Sequence, residues 1–173
     1  REKNILFIGD SITCEGQRPR GFISKIEAVL PIKSKVLCSK GASTEKIIDL
    51  LNSSEIVIHP DLIIAQSGIN DLLDGVSLET SQIYQQKLVS KIKDQYPKAE
   101  LLFLPIHPII KNGQILQNIG TADPSSSFSM WDENIDFVAK YLASDGIHLN
   151  AKGNSFLAER IIDHFSKSLG KAS

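Results

Sequence analysis

The chain has 173 residues, and its 19 Lys and Arg side chains nearly balance its 20 Asp and Glu side chains, for a formal net charge of -1. A chain of this length that is 42% hydrophobic can bury a core of its own, so we expect one domain over residues 1–173. Because no cluster of basic residues is long enough to follow a phosphate backbone or an anionic lipid surface, we expect neither a nucleic-acid partner nor a membrane partner.

Four short runs rich in Ile, Leu and Val predict β-strands that are buried on both faces, because the runs are almost continuously apolar. They are residues 5–8, 35–38, 62–65 and 101–104, and residues 136–139 are a weaker candidate for a fifth strand. Apolar residues at helical spacing mark residues 22–30, 47–51, 83–92 and 156–165 as helices. The alternation of strands and helices predicts an α/β fold, with a parallel sheet that carries helices on both faces.

Residues 108–131 are rich in Gly, Pro and Ser, and they are long for an unstructured connection in a compact domain. The segment is either a functional lid or contains a short element that the pattern does not reveal. We interpret it as an insertion rather than a linker. Its Phe128 and Trp131 either cover a substrate pocket or pack the segment against the domain.

Polar loops follow the predicted strands at the edge where an open parallel sheet binds its ligands. They are Gly9-Asp10-Ser11, residues 39–43, residues 67–71 and residues 144–148. Taken singly, each loop is ordinary turn and helix-capping chemistry, and Ser11 alone is better interpreted as a helix cap. The convergence of all four loops at one edge favours a catalytic site instead.

These loops contain the residue types that ester hydrolysis by a serine requires. Ser11 is a candidate nucleophile and His148 a candidate base, while Asp145, three residues earlier, is placed to hold the imidazole through Nδ1. The amides of Ser11 and Gly41 and the side chain of Asn70 are candidate donors to the oxyanion of a tetrahedral intermediate. We predict no metal ion and no cofactor for this chemistry.

The order of these motifs resembles the SGNH/GDSL hydrolase superfamily, which is named after a Ser, a Gly, an Asn and a His, and the resemblance covers nearly the whole chain. It implies a three-layer α/β/α sandwich with a flavodoxin-like parallel sheet of about five strands. It also implies Ser11, Asp145 and His148 as catalytic triad, with Ser11, Gly41 and Asn70 in the oxyanion hole. The matching motifs are Gly9-Asp10-Ser11-Ile12-Thr13 with Gly16, Gly41, Gly68-Ile69-Asn70-Asp71 and Asp145-Gly146-Ile147-His148-Leu149-Asn150.

Further polar residues lie near the predicted strand ends. We interpret Asp10 and Asp71 as hydrogen-bonded supports of the site, and Asp10 and His107 are also candidate substrate contacts. His107 lies between two prolines, so the alternative is that it belongs to a rigid loop without a ligand. His59 and His164 lie away from this edge, and we expect structural roles for both.

The two cysteines, Cys14 and Cys38, form neither a disulfide framework nor a metal-ligand pattern. We therefore expect free thiols, and from them, together with the lack of a leader in the given chain, a cytoplasmic location. The chain begins with Arg1 just before the first strand, which favours a domain cut from a longer protein. Certain bacterial CMP-sialic acid synthetases carry a C-terminal domain of this superfamily that acts as a sialic acid O-acetylesterase, and that activity is one specific hypothesis.

Loops rather than motifs set the substrate in this superfamily, whose members act on acetylated sugars, lipid esters, thioesters and aryl esters. Little apolar sequence lies near the site, so we expect a small ester substrate with a short acyl group, acetyl above all, on a carbohydrate or other polar alcohol. Two alternatives share the fold: an O-acetyltransferase with the same triad, and a non-catalytic carbohydrate-binding module. A metal-dependent phosphoesterase is disfavoured because only one Asp/His pair is close in sequence.

Overall fold

The structure is a computed structural model, which describes residues 2–116 and 136–170. Within these ranges, no helix is both long and apolar enough to cross a membrane. The elements in chain order are β1 (Lys3–Gly9), α1 (Ser11–Gly16), α2 (Phe22–Val29), β2 (Ile32–Cys38), α3 (Thr44–Ser53), β3 (Leu62–Ala65), α4 (Ile69–Leu73), α5 (Leu78–Gln95), β4 (Glu100–Phe103), β5 (Ile109–Lys111), β6 (Gln114–Leu116), α6 (Asp136–Tyr141) and α7 (Ala151–Gly170).

The central sheet is parallel, with strand order β2-β1-β3-β4. This order places β1 in the middle, where its register pairs Phe7 with Ile64 on one side and Gly9 with Cys38 on the other. The order of strands along the chain reverses on either side of β1, as in doubly wound folds, and the loops after such strands form the ligand-binding edge. The fold therefore brings the loops after β1, β2 and β3 to one edge.

Alternate residues of the strands point to opposite faces of the sheet, and each face has its own apolar cluster. Ile5 and Phe7 contribute to the cluster that is covered by α2 and α7, whereas Leu6 and Ile8 contribute to the cluster covered by α3 and α5. Each of these four strand residues is fully buried. Helices on both faces of a parallel sheet make the three-layer α/β/α sandwich that the sequence predicted.

The predicted fifth strand at residues 136–139 is wrong. These residues belong to α6, which packs against α7, so the parallel sheet of the described residues has four strands. Val138 and Tyr141, three positions apart, both pack against the apolar cluster, which is a helical spacing. A four-residue apolar run fits a strand and a buried helical turn equally well, which explains the misassignment.

Part of the segment 108–131 forms a two-stranded antiparallel hairpin from β5 and β6. Asn112 and Gly113 connect the strands, and both have positive φ angles, 51° and 73°, as a two-residue hairpin turn with the right twist requires. The Asn-Gly pair was a recognisable hairpin signal in the sequence. The rest of this segment, including Phe128 and Trp131, lies outside the described residues.

The expectation of free thiols is also wrong, because Cys14 and Cys38 form a disulfide with a Cα–Cα distance of 5.5 Å. The register of the sheet explains the pairing: Cys38 lies beside Gly9 at the end of β1, and Cys14 lies on α1, which begins two residues after Gly9. The disulfide thus joins α1 to the end of β2. The prediction of a cytoplasmic location rested in part on free thiols, and it loses that part of its basis.

Candidate active site

The turn between β1 and α1 presents Ser11 at the start of a helix. Gly9 is required there, because a Cβ at this position would lie 2.1 Å from Thr13 Oγ1 and 2.4 Å from Gln66 Nε2. Asp10 is the N-cap of α1, and its Oδ1 accepts a hydrogen bond from the Ile12 N–H at 2.9 Å. The capping role that Ser11 alone suggested therefore belongs to Asp10, and the Ser11 hydroxyl is directed to another partner.

That partner is His148, whose Nε2 lies 3.0 Å from Ser11 Oγ across 137 residues of sequence. His148 Nδ1 lies 2.5 Å from Asp145 Oδ2. Because an ionised carboxylate can only accept hydrogen bonds, Nδ1 carries the proton of the neutral ring and donates it to Asp145. Nε2 is then left as an acceptor for the Ser11 hydroxyl. The structure thus brings Ser11, His148 and Asp145 into one chain of hydrogen bonds.

Hydrogen bonds from its own loop stabilise the ionised form of the Asp145 carboxyl. Burial raises the pKa of this carboxyl, but hydrogen bonds from the His148 ring and from the backbone N–H groups of Ile147 and His148 lower it by more, so the net pKa lies below the usual value. The two backbone bonds both go to Oδ1, at 2.9 and 3.0 Å. Oδ2 is therefore directed toward the ring, and Asp145 stays ionised at neutral pH.

His107 is buried against the loop that contains Asp145 and His148. It is only 3% exposed, and its Nε2 lies 2.7 Å from the carbonyl oxygen of Ile147. Burial lowers the pKa of His107 to about 4, although the Ile147 carbonyl opposes this shift, so the ring is neutral at pH 7 and Nε2–H donates to Ile147. In this structure His107 supports the residue before His148, and its contact with a substrate stays a prediction.

Asp10 is likewise beneath the site, with 1% of its surface exposed. Besides Ile12 N–H it accepts from Gln66 Nε2 at 2.5 Å and, more weakly, from Asn70 Nδ2 at 3.4 Å. Burial raises the pKa of Asp10 to about 6, although the bonds from Gln66 and Ile12 lower it. Asp10 is thus a hydrogen-bonded support, as predicted, and its contact with a substrate stays a prediction.

The three candidate oxyanion donors come from the ends of three neighbouring strands. Asn70 lies on α4 after β3, and its Nδ2 donates to the Ala42 carbonyl oxygen at 3.0 Å, which ties it to the loop that contains Gly41. Gly41 has φ of 73°, in the left-handed region that favours glycine, and its N–H donates to none of the described residues. The Ser11 N–H lies in the first turn of α1, where amides have no partner within the helix.

A buried polar network fixes the spacing of these loops. Asp71 accepts from Thr44 N–H at 2.9 Å, from Thr44 Oγ1 at 2.6 Å and from Ser81 Oγ at 2.7 Å, and it is 1% exposed. This confirms Asp71 as a support, and it links the loop after β2 to α4 and α5. Sequence reasoning missed Thr44 and Gln66. The one feature of the sequence that could have identified them is that each is a polar residue next to a loop predicted to lie at the ligand-binding edge of the sheet.

The other two histidines lie elsewhere, as predicted. His59 is exposed before β3, and His164 on α7 pairs with Glu100 at 3.4 Å. In the part of the chain that the structure describes, no three His, Cys, Asp or Glu side chains are grouped closely enough to hold a metal ion.

Comparison with known proteins identifies the family of this chain. The model of the GDSL-like lipase/acylhydrolase family matches residues 5–161. The chain therefore belongs to the GDSL-like lipase/acylhydrolase family. No curated protein sequence matches the chain significantly.

Solved structures share the fold at low sequence identity. The psychrotrophic esterase EstA from a Pseudoalteromonas species is 20% identical with a TM-score of 0.64, over 98% of this chain and 100% of that one. A lipolytic G-D-S-L family protein from Veillonella parvula is 16% identical with a TM-score of 0.68, over 94% of this chain and 98% of that one. An acetyl-xylooligosaccharide esterase from Geobacillus is 20% identical with a TM-score of 0.65, over 93% of each chain. At this level of identity the likeness concerns the fold alone.

Proposed function

We propose that this protein is a serine esterase that removes a short acyl group, acetyl above all, from a carbohydrate or other polar alcohol through an acyl-enzyme on Ser11. The observation that carries the proposal is the continuous chain of hydrogen bonds from Ser11 Oγ through His148 to Asp145, with distances of 3.0 and 2.5 Å. The proposal assigns Ser11 as the nucleophile, His148 as the base and Asp145 as the residue that orients the base.

The proposed first half-reaction forms the acyl-enzyme. Ser11 Oγ attacks the ester carbonyl carbon while His148 Nε2 takes the hydroxyl proton, and the Asp145 carboxylate stabilises the imidazolium that results. The carbonyl oxygen becomes an oxyanion, to which the amides of Ser11 and Gly41 donate. Asn70 Nδ2 donates to it as well, by keeping its bond to Ala42 and giving up the weak 3.4 Å bond to Asp10. Collapse of this intermediate breaks the bond to the alcohol, which leaves with the proton from His148.

The second half-reaction restores the enzyme. His148 takes a proton from a water molecule, whose oxygen attacks the acyl carbon, and the same donors hold the second oxyanion. Ser11 then leaves with the proton from His148, and the carboxylic acid is released. Every step uses groups that the described residues supply, together with the ester and water.

Two observations support the short acyl group and the polar alcohol. Ser11 Oγ has a polar partner, His148, and the neighbouring Asp10 is buried and hydrogen-bonded to the buried Gln66. One protein with this fold is an acetyl-xylooligosaccharide esterase, which makes an acetylated sugar a reasonable first substrate to test.

The test is a panel of p-nitrophenyl esters with acetyl, butyryl and octanoyl groups, followed by acetylated sugars. We expect the highest kcat/KM for acetyl, and we expect Ser11→Ala and His148→Ala each to lose nearly all activity while remaining folded. Ser90→Ala and His59→Ala, at exposed positions, are the matched controls and should retain activity. A preference for octanoyl would overturn the short acyl group, and retained activity in Ser11→Ala would overturn the mechanism.

A further inference from the structure

The residues just before and within β5 contact both halves of the candidate active site. On one side, the Ile110 N–H donates to the Gly146 carbonyl oxygen at 2.8 Å, and His107 contacts the next residue, Ile147. On the other side, Lys111 Nζ donates to the Leu72 carbonyl oxygen at 2.5 Å. Segment 107–111 therefore joins the loop that contains Asp145 and His148 to α4.

The contact with Leu72 lies at the end of a very short helix. α4 spans only Ile69–Leu73, so its carbonyls have few partners within the helix, and a cation near its C-terminal end is favourable. Leu72 O also accepts from the Gly75 N–H at 3.2 Å, which makes the Lys111 contact the shorter of the two. Asn70, the candidate oxyanion donor, lies two residues before Leu72 on this helix.

We propose that Lys111 is a positioning residue for the reaction, which acts through Leu72 to fix α4 and so to aim the Asn70 side chain at the oxyanion. This inference rests on the proposed function, because it assigns Asn70 a part in that reaction. Segment 107–111 couples the two halves of the site: the same short strand holds the base loop at Gly146 and the oxyanion helix at Leu72.

The expected effect lies in kcat. Lys111→Met keeps the length and apolar stem of the side chain but removes the ammonium donor, so α4 loses its tie to β5. Because a small misplacement of a catalytic group can be costly, we expect kcat for p-nitrophenyl acetate to fall about tenfold. KM should change little, because Asn70 would interact with charge that develops only in the transition state. Lys111→Arg, which retains a donor, should recover most of the activity.

A double-mutant cycle separates this role from two others. In the Asn70→Ala background, Lys111→Met should cause almost no further loss, because the group that it positions is absent. A merely structural role would give the same fold-loss in both backgrounds, together with a lower unfolding temperature. Lys91→Met, an exposed lysine on α5, is the matched control and should match the parent in kcat, KM and unfolding temperature.

Direct contact with the substrate is the second alternative, because Lys111 also borders a groove of about 290 Å³ that Leu72, Val76, Leu78 and Leu116 help to form. Such contact would raise KM, and the rise would persist when Asn70 is replaced. Either an equal loss in both backgrounds or a rise in KM overturns the positioning role. Failure of the proposed function is recognised separately, since it would appear as activity that survives Ser11→Ala.

Discussion

Replacing both cysteines, Cys14→Ala with Cys38→Ala, removes the disulfide that joins α1 to the end of β2. The two residues are 24 positions apart. If the disulfide acts mainly by restricting the unfolded chain, a closed loop of this size corresponds to about 3.5 kcal/mol of unfolding free energy at 25 °C. For a chain of this length, each kcal/mol shifts the unfolding midpoint by about 2–4 °C. We therefore expect the double variant to unfold roughly 7–14 °C below the parent.

The assay is thermal unfolding followed by circular dichroism, with and without dithiothreitol, together with urea titration to obtain the free energy. Dithiothreitol should lower the midpoint of the parent toward that of the double variant, which itself should not respond. Thiol titration of the unfolded, unreduced parent should find no free thiol. Equal stability of parent and double variant, or two free thiols in the unreduced parent, would refute both the pairing and this estimate.

Three further predictions concern single side chains at the site. Asn70→Ala should lower kcat about a hundredfold or more, the typical effect of one oxyanion donor, as measured with p-nitrophenyl acetate, and an unchanged rate would show that the donor lies elsewhere. The pKa of His107 is lowered to about 4, so between pH 4 and 6.5 the ring is neutral in the folded state and charged in the unfolded state. His107 therefore stabilises the folded state above pH 6.5. This contribution to the free energy of unfolding, about 3 kcal/mol, is lost as pH falls through 4. Urea titrations from pH 4 to 7 should therefore show a smaller acid loss in His107→Gln than in the parent, and equal slopes would contradict this. The pKa of Asp10 is raised to about 6, so its contribution to the free energy of unfolding, roughly 3 kcal/mol, is present below pH 4 and is lost as pH rises through 6. Asp10→Asn should therefore make the loss of stability toward acid pH steeper than in the parent. An unaltered dependence of stability on pH would count against the buried charge of Asp10.

Much of the fold could be predicted because the two central strands, β1 and β3, are buried on both faces. The same prediction was wrong for β2, an edge strand whose residues are half-buried or exposed. The continuous apolar runs of β1, β3 and β4 have few polar interruptions, and burial was correctly read from them. The misassignment of α6 has the opposite cause: its apolar run is too short to distinguish a strand from a helix, and its contact partner, α7, lies later in the chain. The hairpin of β5 and β6 was recognisable from Asn112-Gly113 and was overlooked.

Ser11, Gly41 and Asn70 could be predicted because they follow β1, β2 and β3, where a parallel sheet gathers its loops. Asp145 and His148 follow α6 instead, so their place at the site could be predicted only from the three-residue spacing of the Asp/His pair and the order of the motifs. The local sequence does not show which polar side chain of a loop is directed into the site and which is buried. Ser11 and Asp10 are neighbours, yet one faces His148 and the other is buried among Gln66 and the α1 amides. The disulfide was missed for a related reason, since only the pairing of β1 with β2 brings Cys38 beside α1.

The central claim is that His148 activates Ser11 as a nucleophile, and covalent labelling tests it most directly. The protein is treated with an organophosphonate ester, and intact mass and peptide mapping are followed together with residual esterase activity. We predict a single adduct on Ser11 whose formation parallels the loss of activity, no adduct in Ser11→Ala, and strongly slowed labelling in His148→Ala. A parent protein that hydrolyses acetyl esters without labelling, or labels at another residue as activity is lost, would contradict the account.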